Sequence, residues 1–162
     1  VSNKYNQFVQ RIMRENKPDE EKLVNIGGML RAKYDLIVQR EPILLFDVDD
    51  GHLVKTACWI TEEEYKTHIV HVPDIMFYIG NDMWIFEVDG WIHNVKDRVI
   101  VRDERRIECY EKAKLNFEVF NELEILLKQG KNPKRPATPG EIFKEMEQKI
   151  DKIIATRLLK TN

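Results

Sequence analysis

Apolar positions in the first part of the chain recur at helical spacing. Between Ser2 and Glu15, Tyr5, Phe8, Val9, Ile12 and Met13 mark one helix face, with Ser2 placed to cap it. Lys17-Pro18-Asp19 breaks that helix and starts a second. Leu23, Ile26, Leu30, Tyr34 and Ile37 then share a face to about Val38. Gly27-Gly28 inside this helix costs about 1 kcal/mol per glycine against alanine. Either the helix bends there or another backbone packs close. After Pro42 the period changes. Ile43-Phe46, Leu53-Ile60 and His68-Val72 read as strands, separated by Asp49-Asp50-Gly51 and by Thr61-Tyr65. The clearest hairpin follows: Asp74 to Ile79 and Met83 to Val88 flank Gly80-Asn81-Asp82. Both strands are apolar on both faces, which predicts central strands covered on both sides. From about Ile100 to Lys114, Ile107, Tyr110 and Ala113 lie at helical spacing among charges; Phe117 to Phe120 reads as a returning strand and 121–128 as a short helix. Lys128 to Thr138 is a basic, proline-containing linker. Thr138-Pro139-Gly140-Glu141 has the capping-box pattern, and Ile142, Met146, Ile150, Ile153 and Leu158 predict a final amphipathic helix.

Two helices, a run of strands, a helix, a strand and two helices indicate an α/β or α+β fold with a mixed central sheet. The expected organisation is a domain over 1–127, with its core at 39–122 and N-terminal helices at 2–38. The linker spans 128–138 and a C-terminal helical extension 139–162. That last helix has two uses, covering the core or pairing with a second copy in a homodimer; core packing is the commoner.

Composition narrows the class. The chain has 162 residues, 43% hydrophobic and 33% charged, which fits one globular domain. A net charge of −2 gives no global nucleic-acid signature, so any basic surface must be local. Cys58 and Cys109 form neither a metal spacing nor a disulfide framework. A reducing, cytoplasmic (intracellular) setting is expected. No apolar run approaches 18 residues, so no membrane span is expected, and no motif calls for an organic cofactor. The first residue is Val1 rather than Met, which reads as a processed or trimmed form.

The chemistry concentrates in "FEVDGWIHN", Phe86 to Asn94. Strand side chains alternate faces. With Asn81-Asp82 as a two-residue loop, Asp74 falls opposite Asp89, and Glu87 shares their face. Directly opposed Cβ atoms lie about 4.5–5.5 Å apart. A four-residue loop gives the same pairing, whereas a simple odd-length loop reverses the faces. Three carboxylates that close repel unless one is protonated or a cation sits among them. Oxygen ligands suit Mg²⁺ or Mn²⁺. The structural alternative carries equal weight: Asp74 begins a strand, while Glu87 and Asp89 lie at the sheet's solvated end. His93 follows Asp89 by four residues, past Gly90; a lone histidine is more often a surface group than a catalyst.

"PDIMFYIGNDMWIFEVDGWIH" with "RDERRIECYEKAKLNFEVFN" resembles the PD-(D/E)XK, restriction-endonuclease-like nuclease superfamily, more narrowly its very-short-patch-repair-type branch. The shared features are a strand beginning with aspartate, a strand ending Glu-x-Asp-Gly, and then a histidine. A helix with aspartate and arginine near its start follows, here Asp103 and Arg106, and then a returning strand. "QREP" at Gln39 to Pro42 is similar to the segment leading into that core. The resemblance covers roughly 39–122. It implies a restriction-endonuclease-like mixed sheet and a Mg²⁺- or Mn²⁺-dependent DNA endonuclease. It further implies Asp74 and Glu87 as metal ligands, with Asp89 and His93 at the active centre. Two departures stand out: Asp89 occupies the place of the superfamily's motif lysine, and the strands at 43–72 match no family feature. The alternatives are a non-catalytic nucleic-acid-binding or assembly domain, and a junction or flap nuclease.

Lys96, Arg98, Arg102, Arg105 and Arg106 follow the site and are candidate phosphate contacts. Their interleaving with Asp97, Asp103, Glu104 and Glu108 also fits a solvated helix face. The linker cations Lys128, Lys131, Lys134 and Arg135 read as a solubilising spacer or, less often, a nucleic-acid-tracking loop. Trp59, Trp84 and Trp91 are expected to pack, with Trp91 the one candidate for base stacking.

Overall fold

The computed structural model describes residues 20–90 and 97–161, and the side chains of 21–90 and 104–160. The helix expected between Ser2 and Glu15, together with Trp91, His93 and Lys96, lies outside the described residues.

Helix α1 (Glu20–Tyr34) buries Leu23, Ile26 and Leu30. It stops earlier than its apolar spacing suggests. Asp35 takes a left-handed φ of 53°, Ile37 is 81% exposed, and Val38 already belongs to a strand. A short polar side chain tolerates that conformation better than most. The Gly27 gap is filled from outside: a Cβ there would meet Arg40 Cδ at 3.6 Å. It is a side chain, not a second backbone, that packs close.

Strands β1 (Val38–Arg40), β2 (Ile43–Phe46), β3 (Leu53–Ala57), β4 (Ile69–His71), β5 (Ile75–Ile79), β6 (Asp82–Asp89) and β7 (Asn116–Asn121) form two sheets. Short helix α2 (Glu62–Thr67) precedes β4, and its capping box joins Thr61 to Glu64. The first sheet runs β1-β5-β6-β7 and is mixed: the β1–β5 and β5–β6 pairs are antiparallel and the β6–β7 pair is parallel. Helix α3 (Asp97–Lys112) makes the crossover that a parallel pair requires. The second sheet, β3-β2-β4, is antiparallel throughout. The apolar runs predict β2 to β7 but neither β1, which falls where the second helix is expected to end, nor the division into two sheets.

The central strands β5 and β6 are covered on both faces, as their two-sided hydrophobicity predicts. On one face Ile75, Phe77, Ile79, Phe86 and Val88 pack with α1 and with α5 (Pro139–Thr161). On the other, Met76 and Ile85 meet Leu44 and Phe46 of β2 and Tyr110 of α3. All four β2 residues are buried. Ile43 and Leu45 face a separate small core with Ile60, Val70 and Val72.

The hairpin turn is Gly80-Asn81, not Asn81-Asp82. Gly80 takes a φ of 62°, and Ile79 pairs with Asp82. Positive φ at the first central position suits glycine in a two-residue hairpin. The pairing shifts by two residues, so Asp74 continues toward Glu87 instead of Asp89. Two residues is the strand period, so the faces are unchanged.

Helix α4 (Glu122–Lys128) and the segment after it are pinned to the core. Glu122 is buried and accepts from Lys22 Nζ at 2.6 Å and from the Ala137 N–H at 2.9 Å. Two of the linker cations have partners within the chain. Lys128 donates to Glu145 and Gln148, and Arg135 donates to both oxygens of Glu141. On α5, Ile142, Met146, Ile150 and Ile153 are buried in the main core, whereas Leu158 at the end of the stripe is exposed. Trp84 packs at the edge of that core, but Trp59 is 53% exposed, against the expectation that it packs. Among the described residues no helix is long and apolar enough to cross a membrane.

Candidate active site

The β5–β6 hairpin carries two acidic residues onto the sheet face that α3 covers. Asp74 immediately precedes β5 and is fully buried. Its Oδ2 accepts the Val88 N–H at 2.7 Å, and its backbone carbonyl accepts the Glu41 N–H at 3.2 Å. The aspartate is thereby tied to β6 on one side and to the end of β1 on the other. Glu41 is itself buried and holds a left-handed φ of 52°.

Glu87 lies on the same face, 3% exposed. Arg106 Nη1 donates to its Oε2 at 2.6 Å, and the Tyr110 hydroxyl donates to its Oε1 at 2.8 Å. Arg106 and Tyr110 are four residues apart on α3, so they share one helix face. Burial, with the negative charge of Glu87, pushes the Tyr110 phenol well above its usual range. It stays protonated and acts as a donor. Cys109 beside it has its thiol raised to about 11 by burial, so it is not a thiolate nucleophile at neutral pH.

Asp89 is half-buried at the last position of β6, in register with Asn121 of β7. By strand register Asp74 and Glu87 lie on one sheet face, with Asp89 one strand period beyond. His93 and Lys96 lie outside the described residues. Arg98 and Arg102 are on α3, where side chains are described only from Glu104 onward. Arg105 is exposed. Arg106, read from sequence as a phosphate contact, instead turns inward onto Glu87.

Sequence reasoning missed the roles of two residues. At Tyr110 the helical pattern shows only an apolar position; its hydroxyl four residues after an arginine is the available signal. His71 stands within a predicted strand and carries no signal of its own in the pattern. Its ring stands edge-on to Tyr110 at 6.2 Å and to Phe46 at 5.9 Å between centroids. The alternation in β4, with Val70 in the small core, was enough to place His71 on the opposite face.

Among the described residues, the trio of potential metal-ligating side chains with ligand atoms within 4.8 Å of one another is Asp47, Asp50 and His52, not Asp74, Glu87 and Asp89. The first trio lies in the β2–β3 loop. Asp47 Oδ1 accepts the N–H groups of Asp49 and Asp50, and Asp50 Oδ1 accepts the His52 N–H. These are the bonds of a polar turn. Hydrogen bonds from the His52 backbone N–H and then its ring lower the Asp50 carboxyl pKa, and the same ring–carboxylate bond raises that of the imidazole.

Comparison with family profiles, with characterised proteins and with solved structures returns no match.

Proposed function

We propose that the chain is a metal-dependent DNA endonuclease of the restriction-endonuclease-like type. The observation that carries this reading is the joint placement of Asp74 and Glu87. Two strands joined by a tight hairpin deliver both acidic residues, buried, to one face near the end of β6. The order of elements supports it: aspartate before β5, Glu87-Val88-Asp89 closing β6, then α3, then the parallel strand β7.

The donor set suits a hard cation, since Asp74 and Glu87 offer only oxygen. Each carboxylate oxygen has two acceptor positions, so a bond from Arg106 or Tyr110 does not by itself bar it from a metal. Asp74 and Glu87 would hold Mg²⁺ or Mn²⁺, which when bound lowers the pKa of a coordinated water and neutralises phosphate charge. Arg106 brings from α3 a positive charge that the superfamily places on its motif lysine, where this chain has Asp89. Asp89 would orient water at the strand end. His93 is the residue close by in sequence that exchanges a proton near neutral pH.

The test is a panel of linear, nicked, branched and single-stranded DNA incubated with Mn²⁺. Asp74→Asn keeps an acceptor for the Val88 N–H but removes the charge. Cleavage by the parent chain and none by a folded Asp74→Asn variant is expected; equal cleavage by both would sink the reading. A junction or flap nuclease would cut only the branched substrates. The buried Arg106–Glu87 pair favours one other reading, a nucleic-acid-binding domain in which that pair is structural. It predicts DNA binding without cleavage at any Mn²⁺ concentration.

A further inference from the structure

We infer that Tyr110 is a positioning residue for this site, its hydroxyl setting the orientation of the Glu87 carboxylate toward a divalent cation. The inference rests on the nuclease reading of Asp74 and Glu87. A glutamate side chain has three rotatable bonds and a broad terminal torsion. One donor on one oxygen leaves the carboxylate plane free to swing. Here each oxygen has its own donor, Arg106 on Oε2 and Tyr110 on Oε1, and both donors stand on one helix. Two fixed points define the plane.

The donor is itself fixed. The Tyr110 ring is wholly buried among aromatic rings from three strands: Phe46 of β2 at 6.3 Å, His71 of β4 at 6.2 Å and Phe117 of β7 at 5.6 Å between centroids. Packing alone would be met by phenylalanine. A buried hydroxyl is unfavourable without an acceptor, and the acceptor here is the carboxylate of a candidate metal ligand. The second sheet, which matches no feature of the resembled family, thus has a use: β2 and β4 wall in the ring that aims Glu87.

The experiment compares the full chain, Tyr110→Phe and Asp74→Asn by Mn²⁺ calorimetry and by DNA cleavage across a Mn²⁺ series. Removing one hydrogen bond to a charged group predicts that Tyr110→Phe binds Mn²⁺ about tenfold more weakly and needs about tenfold more for half-maximal cleavage. At saturating Mn²⁺ the turnover rate should stay within about threefold of the parent, as expected when ground-state binding alone is lost. A merely structural tyrosine would lower the melting temperature and leave Mn²⁺ affinity unchanged. Unchanged affinity in Tyr110→Phe alongside lost affinity in Asp74→Asn would overturn the role of Tyr110 and leave the nuclease reading standing. Equal Mn²⁺ affinity in the parent and Asp74→Asn would overturn both.

Discussion

At the scale of single residues, the Arg106–Glu87 pair dominates. Its side chains are 11% and 4% exposed, so solvent screens it little. Burying two charges is costly, and the pair returns that cost only while both partners are present. Arg106→Met should leave Glu87 buried without its cation and destabilise by about 3 kcal/mol, toward the low end for a broken buried pair given the residual exposure of Arg106. Urea unfolding midpoints would measure it. Adding Glu87→Gln to Arg106→Met should cost much less than the two single changes together; simple additivity would mean that the residues do not interact. This pair was not legible in the sequence. Arg106 stands in a run of alternating charges, the usual mark of a solvated face, and only the tertiary approach of α3 to β6 turns it inward. Asp74 and Glu87 were legible because a hairpin brings them together locally and strand parity survives a two-residue error in the turn.

At the scale of elements, the start of α5 is the most self-contained unit. Thr138 Oγ1 accepts the Glu141 N–H and Glu141 Oε1 accepts the Thr138 N–H, closing the capping box that the sequence announces. Thr138→Ala should cost about 1 kcal/mol, read from thermal or urea unfolding. Arg135, followed by the Thr138 N–H, draws the Glu141 carboxyl down from 4.5 to about 2. A carboxyl depressed in the folded state stabilises above its unfolded pKa and loses that contribution as pH falls. The benefit of Glu141 is thus complete above about pH 4.5 and gone below about 2. In matched melts at pH 7 and pH 2, Glu141→Gln should destabilise at the first and hardly at the second. Equal penalties at both would count against it. Capping was readable because its partners are three residues apart. The end of α1 was not, because Ile37 keeps helical spacing while the backbone at Asp35 has already left the helix.

At the scale of the molecule, β2 joins two cores. Phe46 packs against Tyr110 on the site's face, whereas Met146 of α5 lies in the core across the central sheet. Phe46→Ala and Met146→Ala should each lose about 2–5 kcal/mol. Only Phe46→Ala should also weaken Mn²⁺ binding under conditions where both variants remain folded. Calorimetry on the folded variants would separate the two, and equal weakening would show that the sheet does not insulate the faces. The mixed α/β character and the central place of β5 and β6 could be read from apolar runs. The second sheet could not be distinguished from the first, because the pairing of β1 with β5 across all of β2 to β4 leaves no local periodicity. The same contrast between near and distant pairing sets an order of assembly. The β5–β6 hairpin closes through Gly80-Asn81, while β6 meets β7 only after all of α3 has been laid across the sheet. Short closures precede long ones during folding. The hairpin should therefore set Asp74 and Glu87 on one face before α3 docks and Arg106 reaches Glu87. The nascent chain has to carry two adjacent acidic residues through its early collapse, with water as their counter-environment until the helix docks.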